Sequence, residues 1–134
     1  MKFIKEHKWL LLIILSAVIV RLIYILELTA QPDFAVLMVD EKWHWLWAEE
    51  INKISFWGEG SYFRAPLYPY FLSFLYFITN GSILFSKILQ ILFCGGTVYF
   101  LYRLTEHLFG KTTAAVAGFI YALYGVLIFY ETIF

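Results

Sequence analysis

Charged residues are scarce in this chain. Only 15% of its 134 residues are Asp, Glu, Lys or Arg, against 62% hydrophobic and 22% aromatic. Soluble domains average about 25% charged and ~45–50% apolar residues. A domain this small leaves much of its surface in contact with solvent, so its apolar content excludes an ordinary water-soluble fold. Excess charge of either sign is also missing: ten cations balance ten anions. Without a basic surplus there is no electrostatic footprint for nucleic acid. Cysteine is nearly absent. Cys94 stands alone in an apolar run, cannot close an internal disulfide, and reads as packing. No internal repeat or low-complexity segment is visible.

What is present is one polar island, residues 31–69, inside oily sequence. It carries Asp33, Asp40, Glu41, Glu49, Glu50 and Glu59, together with Trp43, Trp45, Trp47 and Trp57. Such a segment belongs at or above a membrane surface, because charge and unpaired backbone cannot lie in hydrocarbon.

The flanking sequence reads as an all-α integral membrane protein. Residues 9–28 have the twenty-residue length that crosses ~30 Å of hydrocarbon. Lys2, Lys5 and Lys8 precede them, as in a secretory leader. Yet apolar sequence resumes after Arg21 and runs to Leu28, and Leu28-Thr29-Ala30 is a poor cleavage site, so a retained signal-anchor helix is favoured over a cleaved peptide. The lysines place the N-terminus in the cytoplasm and the island on the outer face of the plasma membrane. Two readings stay open for Arg21: snorkelling to a headgroup, or facing the bundle interior beside a carboxylate from another helix.

Residues 29–82 form a large outer loop in this reading. A turn at Gln31-Pro32-Asp33 is followed by a helix over residues 41–54, with Asp40 as N-cap. Trp43, Trp47, Ile51 and Ile54 share one face, as in a helix lying in the membrane interface. Gly58, Gly60 and Ser61 break it. Residues 66–79 reach only about 21 Å as a helix, too short to cross. They lie in or dip into the outer leaflet, or make a short tilted crossing. Residues 83–104 and 112–133 supply the second and third spans. The positive-inside tendency puts the loop at 103–111, with Arg103, His107 and Lys111, in the cytoplasm. Asp40, Glu41, Arg64 and Glu131 then converge on the outer side. Ala114, Gly118 and Ala122 form a small-residue stripe suited to close helix packing.

Within the island Asp40 could act as a general base. Arg64 could grip an anionic group such as phosphate bidentately, and Lys87 could add a point charge. Asp40 and His44, four apart on one helical face, could ligate a divalent metal. Bland readings stand beside these: Asp40 as a helix cap, Glu41, Glu49 and Glu50 as solvated charges, His44 as an interfacial polar group, and Arg64 as a headgroup contact.

Three features fall in order: the pair Asp40-Glu41, the run Tyr62-Phe63-Arg64-Ala65-Pro66-Leu67-Tyr68-Pro69, and Leu104 to Leu108-Phe109-Gly110 with apolar sequence after it. The set resembles the amino-terminal part of the GT-C glycosyltransferases of the protein mannosyltransferase and aminoarabinose transferase type, and covers residues 9–134. The resemblance implies a membrane enzyme that moves a sugar from a polyprenyl-phosphate carrier. Asp40 would be catalytic, with Glu41 as the second acid. Arg64 and Lys87 would bind the carrier phosphate, and Glu131 matches an acid after the third span. Ala65 departs from the family's double-proline form. The resemblance also implies further transmembrane helices of a longer chain as partners, without which the segment is inactive. An alternative of another class is a small non-catalytic membrane protein that packs a partner helix against Ala114, Gly118 and Ala122.

Overall fold

A computed structural model describes residues 7–57 and 64–134. Lys2 and Lys5, the breakers Gly58, Gly60 and Ser61, and Tyr62-Phe63 of the aromatic run lie outside the described residues. Among the described residues every regular element is an α-helix: α1 (Lys8–Thr29), α2 (Val39–Lys53), α3 (Leu67–Thr79), α4 (Ile83–Phe109), α5 (Lys111–Leu123) and α6 (Gly125–Tyr130).

Two of these, α1 and α4, are long and apolar enough to cross a membrane. Only 28% of each apolar stretch is buried within the chain. Leu11, Leu12, Leu15, Ile19 and Ile23 of α1 point outward, as do Leu92, Phe93, Phe100 and Leu104 of α4. A helix at the centre of a soluble protein would be covered; apolar exposure on this scale needs a non-aqueous neighbour.

Helices α1, α4 and α5 lie side by side. Leu10, Ile13 and Ala17 meet Cys94, Val98 and Tyr102 of α4 and Ala114 and Ala122 of α5. The small-residue stripe is what lets α5 approach α1. A Cβ built on Gly118 would stand 3.0 Å from Ile13 Cγ2 and 3.1 Å from its Cδ1. Ala114, Gly118 and Ala122 are all buried, so the chain itself fills the face that was a candidate for a partner helix.

A second apolar cluster joins α2 and α3 through Trp45, Ala48, Leu72 and Leu75, with Phe134 stacked on Trp45 at 4.8 Å between ring centroids. The Asn52 amide fixes the register, donating to the Ser73 carbonyl at 2.8 Å and its hydroxyl at 2.7 Å. The seam of α2 is therefore Trp45, Ala48 and Ile51. The expected membrane-facing stripe is a different face, sharing only Ile51 with this seam. Ile54 is exposed, and Trp43 and Trp47 contact each other edge-on beside the seam. Ala48 lies at the centre of the seam, where its small side chain packs in one cluster with Leu72 and Leu75.

Other boundaries also move. Asp40 does not cap α2. The N-cap is Met38, and Asp40 and Glu41 lie in the first turn, where they still oppose the helix dipole. Just before them Val39 adopts φ 42°, a left-handed conformation that is strained for a β-branched residue. The turn at Asn80-Gly81 is as expected, with φ of 51° and 75°, and the Ser82 hydroxyl accepts from the Phe85 amide at 3.4 Å. The expected loop at 103–111 is helical to Phe109, supported by the Arg103–Glu106 pair at 2.7 Å, and Gly110 alone makes the turn into α5. The stretch 112–133 is not one helix. Tyr124 is extended (φ −73°, ψ 110°) and separates α5 from the six-residue α6.

Candidate functional site

Three ion pairs gather at the end of the bundle where α1 finishes and α4 begins. Each joins elements far apart in sequence. Lys87 of α4 is paired with Glu41 of α2. Arg64, just before α3, is paired with Asp40 at 2.7 Å. Arg21 of α1 is paired with Glu131, which follows α6.

Their depths differ. The Lys87 side chain is 5% exposed, enclosed by Glu41 and the rings of Phe34 and Phe134, which its ammonium faces at 5.6 and 5.0 Å. Glu41 also meets the Phe134 amide N–H at 3.4 Å. The outer pair is open, with Arg64 40% and Asp40 61% exposed. The Arg64 guanidinium covers the Trp43 ring at 5.1 Å, which limits its swing without fixing it.

Arg21 is fully buried, so it does not snorkel. It occupies the same stripe of α1 as Leu10, Ile13, Ala17 and Ile25. Nη1 donates to the carbonyls of Ala17 and Ala122, both at 3.1 Å. The Glu131 carboxylate takes Nε–H of Arg21 and the hydroxyl of Tyr121. The extended Tyr124 matters here. A helix leaves its last four carbonyls without helical partners, and Arg21 takes the one of Ala122.

Between α2, α3, α4 and the C-terminal residues lies a cavity of about 530 Å³. Asp40, His44, Tyr68, Gln90 and Glu131 give it polar groups, while Phe71, Phe93 and Phe134 supply apolar wall. Of the expected site residues Asp40 and Glu131 line this cavity together. Glu41, Arg64 and Lys87 do not line it; Arg64 and Lys87 stand behind its rim through their pairs with Asp40 and Glu41. Gln90 was missed in the sequence. It accepts from the Tyr68 hydroxyl at 2.9 Å and donates to the Ile133 carbonyl at 2.8 Å, tying α3, α4 and the C-terminal residues around the cavity. The available signal was a lone amide in an apolar span, three residues after Lys87 and so on its face, since polar groups in such spans turn inward.

His44 packs edge-on against Trp43 and Tyr68, and among the described residues its buried Nδ1 has no hydrogen-bond partner. Burial lowers its pKa first and the nearby Arg64 charge adds to this, while Asp40 opposes. The ring is thus held neutral. Asp40 and His44 do not fit a divalent cation. Asp40 is already paired with an arginine whose charge would oppose one, and among the described residues no three His, Cys, Asp or Glu side chains cluster.

Comparison with protein-family models, curated proteins and solved structures finds no match. The chemistry of the site therefore rests on the arrangement itself.

Proposed function

We propose that this chain is the amino-terminal part of a multi-pass membrane glycosyltransferase of the GT-C type. It would move a sugar from a polyprenyl-phosphate carrier to an acceptor hydroxyl at the outer face of a plasma membrane. The observation that carries the reading is the gathering, at one end of an apolar bundle, of three ion pairs beside an amphipathic cavity that Asp40 and Glu131 line. In this reading α1 and α4 cross the membrane, α5 and α6 together make a third crossing, and α2 and α3 lie at the outer interface.

Asp40 is the base. Exchange of its ion pair links binding to readiness. When the carrier phosphate takes Arg64, a guanidinium that can hold it through two parallel hydrogen bonds, Asp40 is released to accept the acceptor proton. Arg64 is exposed enough to make that exchange. Lys87 is enclosed, so its charge reaches the phosphate only if Glu41 yields. A phosphate leaving group is already anionic, so cations matter more than a second proton donor. His44, held neutral, adds no competing charge. Glu131 is fixed by Arg21 on the cavity wall opposite, where it can orient sugar hydroxyls.

The rival, a helix-packing protein, would need a surface other than Ala114, Gly118 and Ala122, which α1 already covers. The test is Asp40→Asn in the full-length protein, with labelled polyprenyl-phosphate sugars as donors. Transfer should be abolished while membrane insertion is unchanged. Normal transfer by that variant would remove Asp40 as the base.

A further inference from the structure

At the opposite end of the bundle a second concavity runs between α1 and α5. It measures about 650 Å³ and is floored by Ala115, Val116, Phe119 and Ile120 on one face of α5, with the Trp9 ring as its side wall. Lys111 stands at its mouth, and the Lys8 ammonium lies 5.4 Å over the Trp9 ring. Both lysines are exposed, and among the described residues neither makes an ion pair. The nearby acid Glu106 is taken by Arg103 at 2.7 Å. This end of the chain thus joins an open apolar trough to two unbalanced cations and an amphipathic ring at the boundary between them.

The geometry points to a binding site for one anionic phospholipid, its acyl chain along the α5 face and its phosphate between Lys8 and Lys111. The trough selects a hydrocarbon chain. The paired cations select an anionic headgroup over a zwitterionic one, as basic pockets between membrane helices do. Trp9 marks the depth at which headgroup and chain meet. A soluble anion satisfies only the mouth, and an apolar peptide helix only the trough. The inference rests on the membrane placement proposed above and is independent of sugar transfer.

The experiment places the full-length protein in vesicles of mixed phosphatidylcholine and phosphatidylglycerol and reads retained lipid by native mass spectrometry after gentle extraction. The native protein should retain phosphatidylglycerol in preference to phosphatidylcholine. Lys8→Gln and Lys111→Gln should each lower that preference about fivefold, and together remove it. Val116→Trp, at an exposed position, fills the trough and should lose the retained lipid with both lysines intact; Ile120→Trp is the second variant should the first fold poorly. Equal retention of the two lipids by the native protein overturns the site. So does an unchanged preference in the double lysine variant. Undiminished retention in both trough variants also overturns it, since the lysines would then act only through surface charge. A protein that carbonate washes from the vesicles overturns the membrane placement as well.

Discussion

At one end of the bundle Lys8 and Lys111 stand exposed and without ion pairs among the described residues, while at the other Arg21, Arg64 and Lys87 each face a carboxylate from a distant element. Depth explains the difference. An exposed ammonium is served by water and gains little from a partner. A cation withdrawn from water needs its charge balanced, or its burial is costly. The paired end repeats the lesson internally: Arg21 and Lys87 are enclosed, whereas Arg64 keeps a pair that solvent can reach. A structural pair and an exchangeable one thus sit within one cluster, and the second kind is suited to ligand chemistry.

The contrast can be broken most sharply at Arg21. Arg21→Met leaves Glu131 without its cation and should cost ~3–5 kcal/mol, read from denaturant unfolding in micelles by tryptophan fluorescence. Arg21→Met with Glu131→Gln should recover most of this, because the orphaned charge is gone. A single variant as stable as the native protein would show that the buried pair is not structural. Next in size is the bundle packing. Gly118→Leu forces atoms into Ile13 and should cost about 1–3 kcal/mol by overpacking, with partial recovery when Ile13→Ala makes room. Full stability of Gly118→Leu would show that α1 and α5 do not approach as described.

The smallest effect belongs to the open pair. Arg64→Gln should change stability by only ~0–1 kcal/mol. It should nevertheless raise the pKa of His44, because the Arg64 charge is one of the two causes that lower it. The sign for stability follows. The His44 pKa is below its ordinary 6.5 in the folded chain, so the unfolded chain binds its proton first as pH falls. The contribution of neutral His44 is complete above pH ~6.5 and is lost as pH drops toward the folded value. Thermal melts across that window should show the loss, reduced in Arg64→Gln and absent in His44→Gln. A His44 ring-proton titration that Arg64→Gln leaves in place would separate the two side chains.

Length and apolar runs made α1 and α4 legible, and Asn80-Gly81 made the turn between α3 and α4 legible, because these are local properties. The interruption at Tyr124 was not. The apolar run continues through it unbroken, and a tyrosine before a glycine carries too weak a signal to end a helix. The end of α4 was misplaced for the opposite reason. Arg103, Glu106 and His107 looked like a loop by polarity, yet the Arg103–Glu106 pair three residues apart is helical spacing. At the site, charge and order drew attention to Asp40, Glu41, Arg64, Lys87 and Glu131. Their pairing was beyond reach, since each pair spans at least two dozen residues. Gln90 was hidden by being uncharged.

The interruption at Tyr124 has a consequence for which substitutions the chain can accept. Ala122 offers its carbonyl to Arg21 because the ladder stops there. Replacing Gly125 by a strong helix former such as alanine would favour an unbroken helix and return that carbonyl to the backbone. The guanidinium would then lose one of its two carbonyl contacts. Lysine at position 21 could not take over either, since one ammonium cannot span two carbonyls and a carboxylate in that fixed layout. A change at position 125 should therefore be felt at Arg21, which it does not touch.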